Sequence, residues 1–181
     1  MILSLGACSM SFVKSADEAC GPYPGPDEVS KDVELVAMGW DSPFHQELAR
    51  QPFTYVQCRA ANGDQDAQYV LGLFYLDGIQ IEPDYRRATA LFAEATYKPA
   101  GRGNTIVRHN GDYAGIVNFE TTPEKPGVLD AYYQLGKMHE QGLIKGVDLE
   151  LAEWFYNIAA TKGHRKALEA LENLQGKDGE T

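Results

Sequence analysis

The stretch Asp66-Ala67-Gln68-Tyr69-Val70-Leu71-Gly72 returns 64 positions later as Asp130-Ala131-Tyr132-Tyr133-Gln134-Leu135-Gly136. The same shift pairs Gly78 with Gly142, Asp84 with Asp148, Ala88 with Ala152 and Ala95 with Ala159, so nine of the thirty residues from Asp66 to Ala95 recur without a gap. An internal repeat of this kind organises the whole reading. Ala67, Val70, Leu71, Phe74 and Tyr75 make an i, i+3, i+4 stripe, which predicts a helix from about Asp66 to Asp77, ended by Gly78. Pro83-Asp84 opens a second helix reaching about Tyr97, with Ala88, Leu91, Phe92 and Ala95 turned back on the first. A lone helical hairpin cannot bury both faces, so such units must stack.

These residues resemble the Sel-one-like repeat, a relative of the tetratricopeptide repeat. The pattern runs Ala67…Tyr69-x-Leu71-Gly72-x-x-x-Tyr75-x-x-Gly78, then Asp84-Tyr85-x-x-Ala88-x-x-x-Phe92-x-x-Ala95. The second copy continues through Trp154-Phe155 to Ala159-Ala160-x-x-Gly163-His164, and Ala60-Ala61-x-Gly63 looks like the end of an earlier unit. Gln68 and His139 depart from the family, which more often has larger or aromatic residues there. The resemblance implies an all-α fold, a short right-handed α-solenoid of helical hairpins. Its domain would span 43–181, with units at about 66–98 and 130–164 and a capping helix at about 165–174.

The family period of about 36 leaves some 28 residues over, an insertion at about 99–127. In it Thr105-Ile106-Val107-Arg108 and Gly115-Ile116-Val117-Asn118-Phe119 flank Asn110-Gly111, a turn signal that predicts a β-hairpin. Pro123, Pro126 and Gly127 then break the chain. The insertion is either a tolerated surface loop or a recognition element.

The chain has 181 residues, with 44% hydrophobic and 23% charged side chains and a net charge of −10. That composition belongs to a globular domain and excludes a disordered tail or a disulfide miniprotein. Its acidity argues against nucleic acid and anionic membrane surfaces as partners. The bland reading of the charge is solubility. No apolar run approaches the 18 or so residues of a transmembrane helix.

Residues 1–8 read as the remnant of a signal peptide, in which Leu5-Gly6-Ala7-Cys8 resembles a bacterial lipobox with Cys8 as the lipid-attachment site. The basic n-region and most of the apolar segment are missing, so a frayed terminus with a free thiol is the alternative. Ser9 after the cysteine implies, by that resemblance, delivery to the outer membrane from the periplasm. If Cys8 carries lipid, Cys20 and Cys58 remain as a pair suited to an oxidising compartment. Their bridge would staple the extended, Pro/Gly-rich segment 9–42 to the repeats, and two unpaired thiols are the other reading.

Catalytic patterns fail one by one. His45, His109, His139 and His164 have no ligand-spaced partner, and His139-Glu140 lacks the second histidine of a zinc protease at Leu143. Gly101-Arg102-Gly103 has no third glycine. His164-x-Lys166 opens like a phospholipase D motif, but Leu171 stands where its aspartate belongs. No cofactor and no metal is expected, and the chain reads as a non-enzymatic binder.

In the tetratricopeptide pattern the first helix of each unit lines the concave side. The partner-binding positions so implied are Asp66, Tyr69, Leu73, Leu76 and Asp77, then Asp130, Tyr133, Lys137, Glu140 and Gln141. Tyr69 and Tyr133 are either interface anchors or packing residues. Tyr97-Lys98-Pro99, Gly101…Gly103, Pro126-Gly127 and Tyr133-x-Leu135-Gly136-x-Met138 resemble short Sel-one-like lipoproteins that act as immunity proteins. That resemblance implies a periplasmic, lipid-anchored inhibitor whose protein partner is a type VI-secreted phospholipase effector of the phospholipase D kind. A periplasmic scaffold or assembly adaptor for cell-envelope complexes is the rival.

Overall fold

A computed structural model describes residues 16–22, 42–96, 101–109, 112–122 and 127–178, giving the backbone alone for 16–17, 101–109, 112–122 and 177–178. The lipobox-like stretch with Cys8, most of the segment 9–42, the expected turn at Asn110-Gly111 and residues 97–100 and 123–126 lie outside the described residues.

Eight helices are described: α1 (Ala16–Cys20), α2 (Pro43–Ala49), α3 (Phe53–Ala61), α4 (Gln65–Asp77), α5 (Tyr85–Ala95), α6 (Leu129–Glu140), α7 (Leu149–Thr161) and α8 (Arg165–Asp178). Consecutive helices pack as antiparallel neighbours into an all-α solenoid, α4 on α5, α6 on α7, and α8 on α7. Aspartates set the helix starts. Asp64, Asp84 and Asp148 each accept a hydrogen bond from the backbone N–H three residues on, at 3.0–3.1 Å. Each such cap satisfies one orphan donor of its first turn, a contribution of about 1 kcal/mol. Gly78 closes α4 at φ +69, where a Cβ would also meet the Pro83 ring at 2.7 Å.

Both repeat hairpins close on a glycine. Ideal Cβ atoms at Gly72 and Gly136 would lie 2.6 Å from the rings of Phe92 and Tyr156, so each ring rests directly on its neighbour's backbone. Phe74, Phe92, Leu73, Leu135 and Met138 form one core across the repeats. Tyr156, Ala159, Ala167, Leu171 and Leu174 form a second under the last helix. Helix α5 ends at Ala95 rather than near Tyr97, because Thr96 turns extended (ψ 176) and its hydroxyl donates to the Ala93 carbonyl. Helix α8 runs past Leu174 to Asp178.

After Thr96 the chain leaves the solenoid and returns at Val128, whose N–H donates to the Ala95 carbonyl at 2.9 Å. The two ends of the excursion therefore meet at one point, so its length adds little strain to the stacking. Within it β1 (Gly101–His109) pairs antiparallel with β2 (Asp112–Thr122), with Ile106 opposite Ile116 and Gly103 opposite Phe119. At the other end, a Cys20–Cys58 disulfide with a Cα separation of 5.8 Å fastens α1 to α3.

Candidate functional site

Helix α6 opens the second hairpin, and its side chains are shared by two adjoining depressions. The smaller, of about 240 Å³, lies between α4 and α6, lined by Leu76, Asp77, Tyr85, Gln134, Lys137 and Gln141 among others. The larger, of about 530 Å³, lies between α6 and α8 and includes Tyr133, Lys137, Glu140, Gln141, Lys166 and Asn173. Lys137 and Gln141 border both, so the two form a continuous polar groove across the first-helix face.

Two ionisable groups at this groove, Asp77 and Tyr156, are shifted by their surroundings. Water withdrawn by the surrounding protein pushes the Asp77 carboxyl above its ordinary value, and the Lys137 ammonium pulls it part of the way back. The Tyr156 hydroxyl donates to Glu140 Oε2 at 2.8 Å. Burial, then that bond to a carboxylate, pushes the Tyr156 hydroxyl far up, so it stays a donor throughout the physiological range. Gln134, which also lines the smaller depression, has its Oε1 buried without a hydrogen-bond partner.

The structure gathers Leu76, Asp77, Tyr133, Lys137, Glu140 and Gln141 into this groove. Tyr69 and Leu73 sit elsewhere: they are 5% and 2% exposed, and serve the core rather than a partner surface. Tyr69 leans on the Phe92 ring at 5.8 Å and on His45 at 4.7 Å. Asp66 and Asp130 are tied to histidines. His45 Nε2 meets Asp66 Oδ1 at 2.9 Å, and its Nδ1 lies 3.6 Å from Asp130 Oδ2. Asp130 Oδ1 also takes His164 Nε2 at 2.9 Å. His164 Nδ1 accepts from the Ala167 N–H, which places the ring proton on Nε2, where it is donated to Asp130. The hydrogen bond from His164 holds the Asp130 carboxyl below its ordinary value, against the opposing effect of burial.

Sequence reasoning missed Gln134, Lys166 and Asn173 as groove residues. For Lys166 and Asn173 a signal existed, since a spacing of seven on α8 puts both on one face together with Glu169. His164 also had one, sitting just before a helix where a capping acceptor belongs. Among the described residues no cluster of three His, Cys, Asp or Glu could hold a metal ion. Nor is any described helix long and apolar enough to cross a membrane.

The Sel1 repeat family model matches residues 65–98 and 129–164, which are the hairpins α4–α5 and α6–α7. No curated protein and no solved structure matches the chain.

Proposed function

From two Sel1 repeats, a protein-interaction module, as the premise, we propose that this chain is a periplasmic immunity protein. It binds a type VI-secreted phospholipase of the phospholipase D kind and blocks the entry of substrate. The observation that carries this reading is the groove shared by α4, α6 and α8. Its carboxylates Asp77, Glu140 and Glu169, interleaved with Lys137 and Lys166, offer a charge pattern for one protein surface rather than a pocket for a small substrate. The net charge of −10 complements the His- and Lys-rich site of such an enzyme. The Cys20–Cys58 bridge suits an oxidising compartment, and the lipobox resemblance at Leu5–Cys8 suits an anchor on the outer membrane.

The test is inhibition of a purified type VI phospholipase D effector from the same source, with hydrolysis of phospholipid vesicles as readout. The full chain should stop hydrolysis at stoichiometric ratio. The D77K/K137E variant, unchanged in circular dichroism, should bind at least about ten-fold more weakly. Hydrolysis unaffected by the full chain would overturn the reading. Inhibition unaffected by the double variant would remove the groove from it. Recovery of several envelope proteins and no lipase would favour the scaffold.

A further inference from the structure

Asn62 caps the C-terminal end of α3, one helical turn beyond Cys58, and that spacing puts the two side chains on one face. The Asn62 amide nitrogen donates to the Cys58 carbonyl at 2.9 Å. A carbonyl oxygen only accepts, so the amide must turn its nitrogen, and not its own oxygen, to this side. The same nitrogen stands 3.6 Å from Cys20 Sγ and 3.7 Å from Cys58 Sγ. With one N–H spent on the carbonyl, the second is left for the sulfurs of the bridge. A disulfide sulfur is a weak acceptor, whereas a thiolate is a strong one. A donor placed here gains little from the intact bridge and much from the sulfur released when it opens. The site is also within reach of a reductant, for Asn62 is exposed and both cysteines are only half-buried. None of residues 18–22 is buried, so α1 has little packing of its own to hold it on α3.

We propose that the Cys20–Cys58 bridge is a reducible latch on α1, poised by Asn62 for exchange with a dithiol. A thiolate of the dithiol attacks one bridge sulfur, the S–S bond breaks, and the Asn62 N–H receives the displaced thiolate. The second thiolate of the reductant then attacks the mixed disulfide, freeing the other cysteine and leaving the reductant oxidised to its own disulfide. Two electrons pass to the protein sulfurs, and the two protons of the dithiol end on the protein thiols. Before the exchange one covalent bond joins α1 to α3. Afterwards the path between Cys20 and Cys58 is their separation of 38 residues along the chain. The latch belongs to α1 and α3, so it stands whatever the groove of α4, α6 and α8 binds.

The oxidised full chain, equilibrated with graded dithiothreitol, acid-quenched, alkylated and digested, tests it, with Cys20 and Cys58 counted in their own peptides. Asn62→Leu keeps the size of the side chain and removes the donor, at a backbone conformation (φ −91, ψ 14) that any residue adopts. The equilibrium constant for reduction should fall at least about five-fold in Asn62→Leu, because the released thiolate loses its hydrogen bond. The oxidised variant should melt within about 2 °C of the parent, as befits an exposed position. In the reduced parent, the amide resonances of residues 16–19 should move to unstructured positions while those of α4 to α7 keep theirs. Equal reduction of parent and Asn62→Leu overturns the proposal. So does an α1 that keeps its resonances after reduction, or a reduction that unfolds the repeats with it.

Discussion

Replacing Gly72 by alanine isolates the physics of the repeat hairpin. The added Cβ would sit 2.6 Å from Phe92 Cε1, 2.8 Å from Cδ1 and 3.2 Å from Cζ. Carbon atoms pack at about 3.5–4.0 Å, so the ring must retreat by about 1 Å. Phe92 is fully buried, with the Tyr69 ring beside it, so the retreat is resisted. Overpacking of this size costs about 1–3 kcal/mol, whereas alanine in a helix interior gains about 1 kcal/mol over glycine. Because the retreat is resisted, the cost lies at the upper end of that range, and the net expectation is a loss of about 2 kcal/mol, seen as a fall in melting temperature of about 4–8 °C for a domain of this size. Urea unfolding followed by far-ultraviolet circular dichroism measures it. Gly176 supplies the control, being helical with no atom within 4 Å of its ideal Cβ, so Gly176→Ala should be neutral or stabilising. In Gly72→Ala/Phe92→Leu the shorter side chain makes room, and the two losses should sum to less than their parts. A Gly72→Ala protein as stable as, or more stable than, the parent would refute the close-approach argument.

Reduction of the Cys20–Cys58 bridge, or Cys20→Ser/Cys58→Ser, frees a separation of 38 residues, for which the chain-entropy estimate gives about 4 kcal/mol. A melting temperature indifferent to reductant would mean that α1 adds nothing to the stability of the repeats. Asp130 is held below its ordinary value by His164, so its contribution to stability is complete above the unfolded value of 3.8 and is lost as pH falls through the lowered one. The gap in stability between parent and Asp130→Asn should therefore close on acidification below about pH 4, and a constant gap would deny the bond that role. Asp77 is raised, so its charge opposes folding at neutral pH and ceases to do so once protonated. Asp77→Asn should be at least as stable as the parent at pH 7, and a marked loss of stability would contradict the burial argument.

The repeats were legible because their signals are local. The stripe Ala67, Val70, Leu71, Phe74 fixes which face of α4 is inward, and Asp84 and Gly78 mark where helices begin and end. Recurrence at a shift of 64 then transfers each reading to the second hairpin. The Cys20–Cys58 pairing followed from counting thiols. The groove was legible only in part. Tyr69 and Tyr133 occupy equivalent positions, yet Tyr69 is enclosed by α2 through His45, while Tyr133 borders an open depression beneath α8. Equivalence in a repeat fixes direction, and the neighbouring unit fixes exposure. The histidines escaped for a related reason. His45 lies 21 positions from Asp66 and far from Asp130 in sequence, and only stacking brings them together. Trp154 stands 55% exposed because its phase on α7 turns it away from the buried face of Ala152, Tyr156 and Ala159.

The contact of His45 with Asp130 has a consequence for how the chain comes apart. Repeat arrays commonly behave as a row of units in which each is held only by its immediate neighbours, so that end units open first and alone. Here a side chain of α2, which precedes the first repeat, reaches the opening residue of the second, while the same aspartate holds the residue that starts α8. Opening either end must release a carboxylate shared with the other. The array should therefore melt as one block, without the stepwise fraying that its repetitive sequence would otherwise allow.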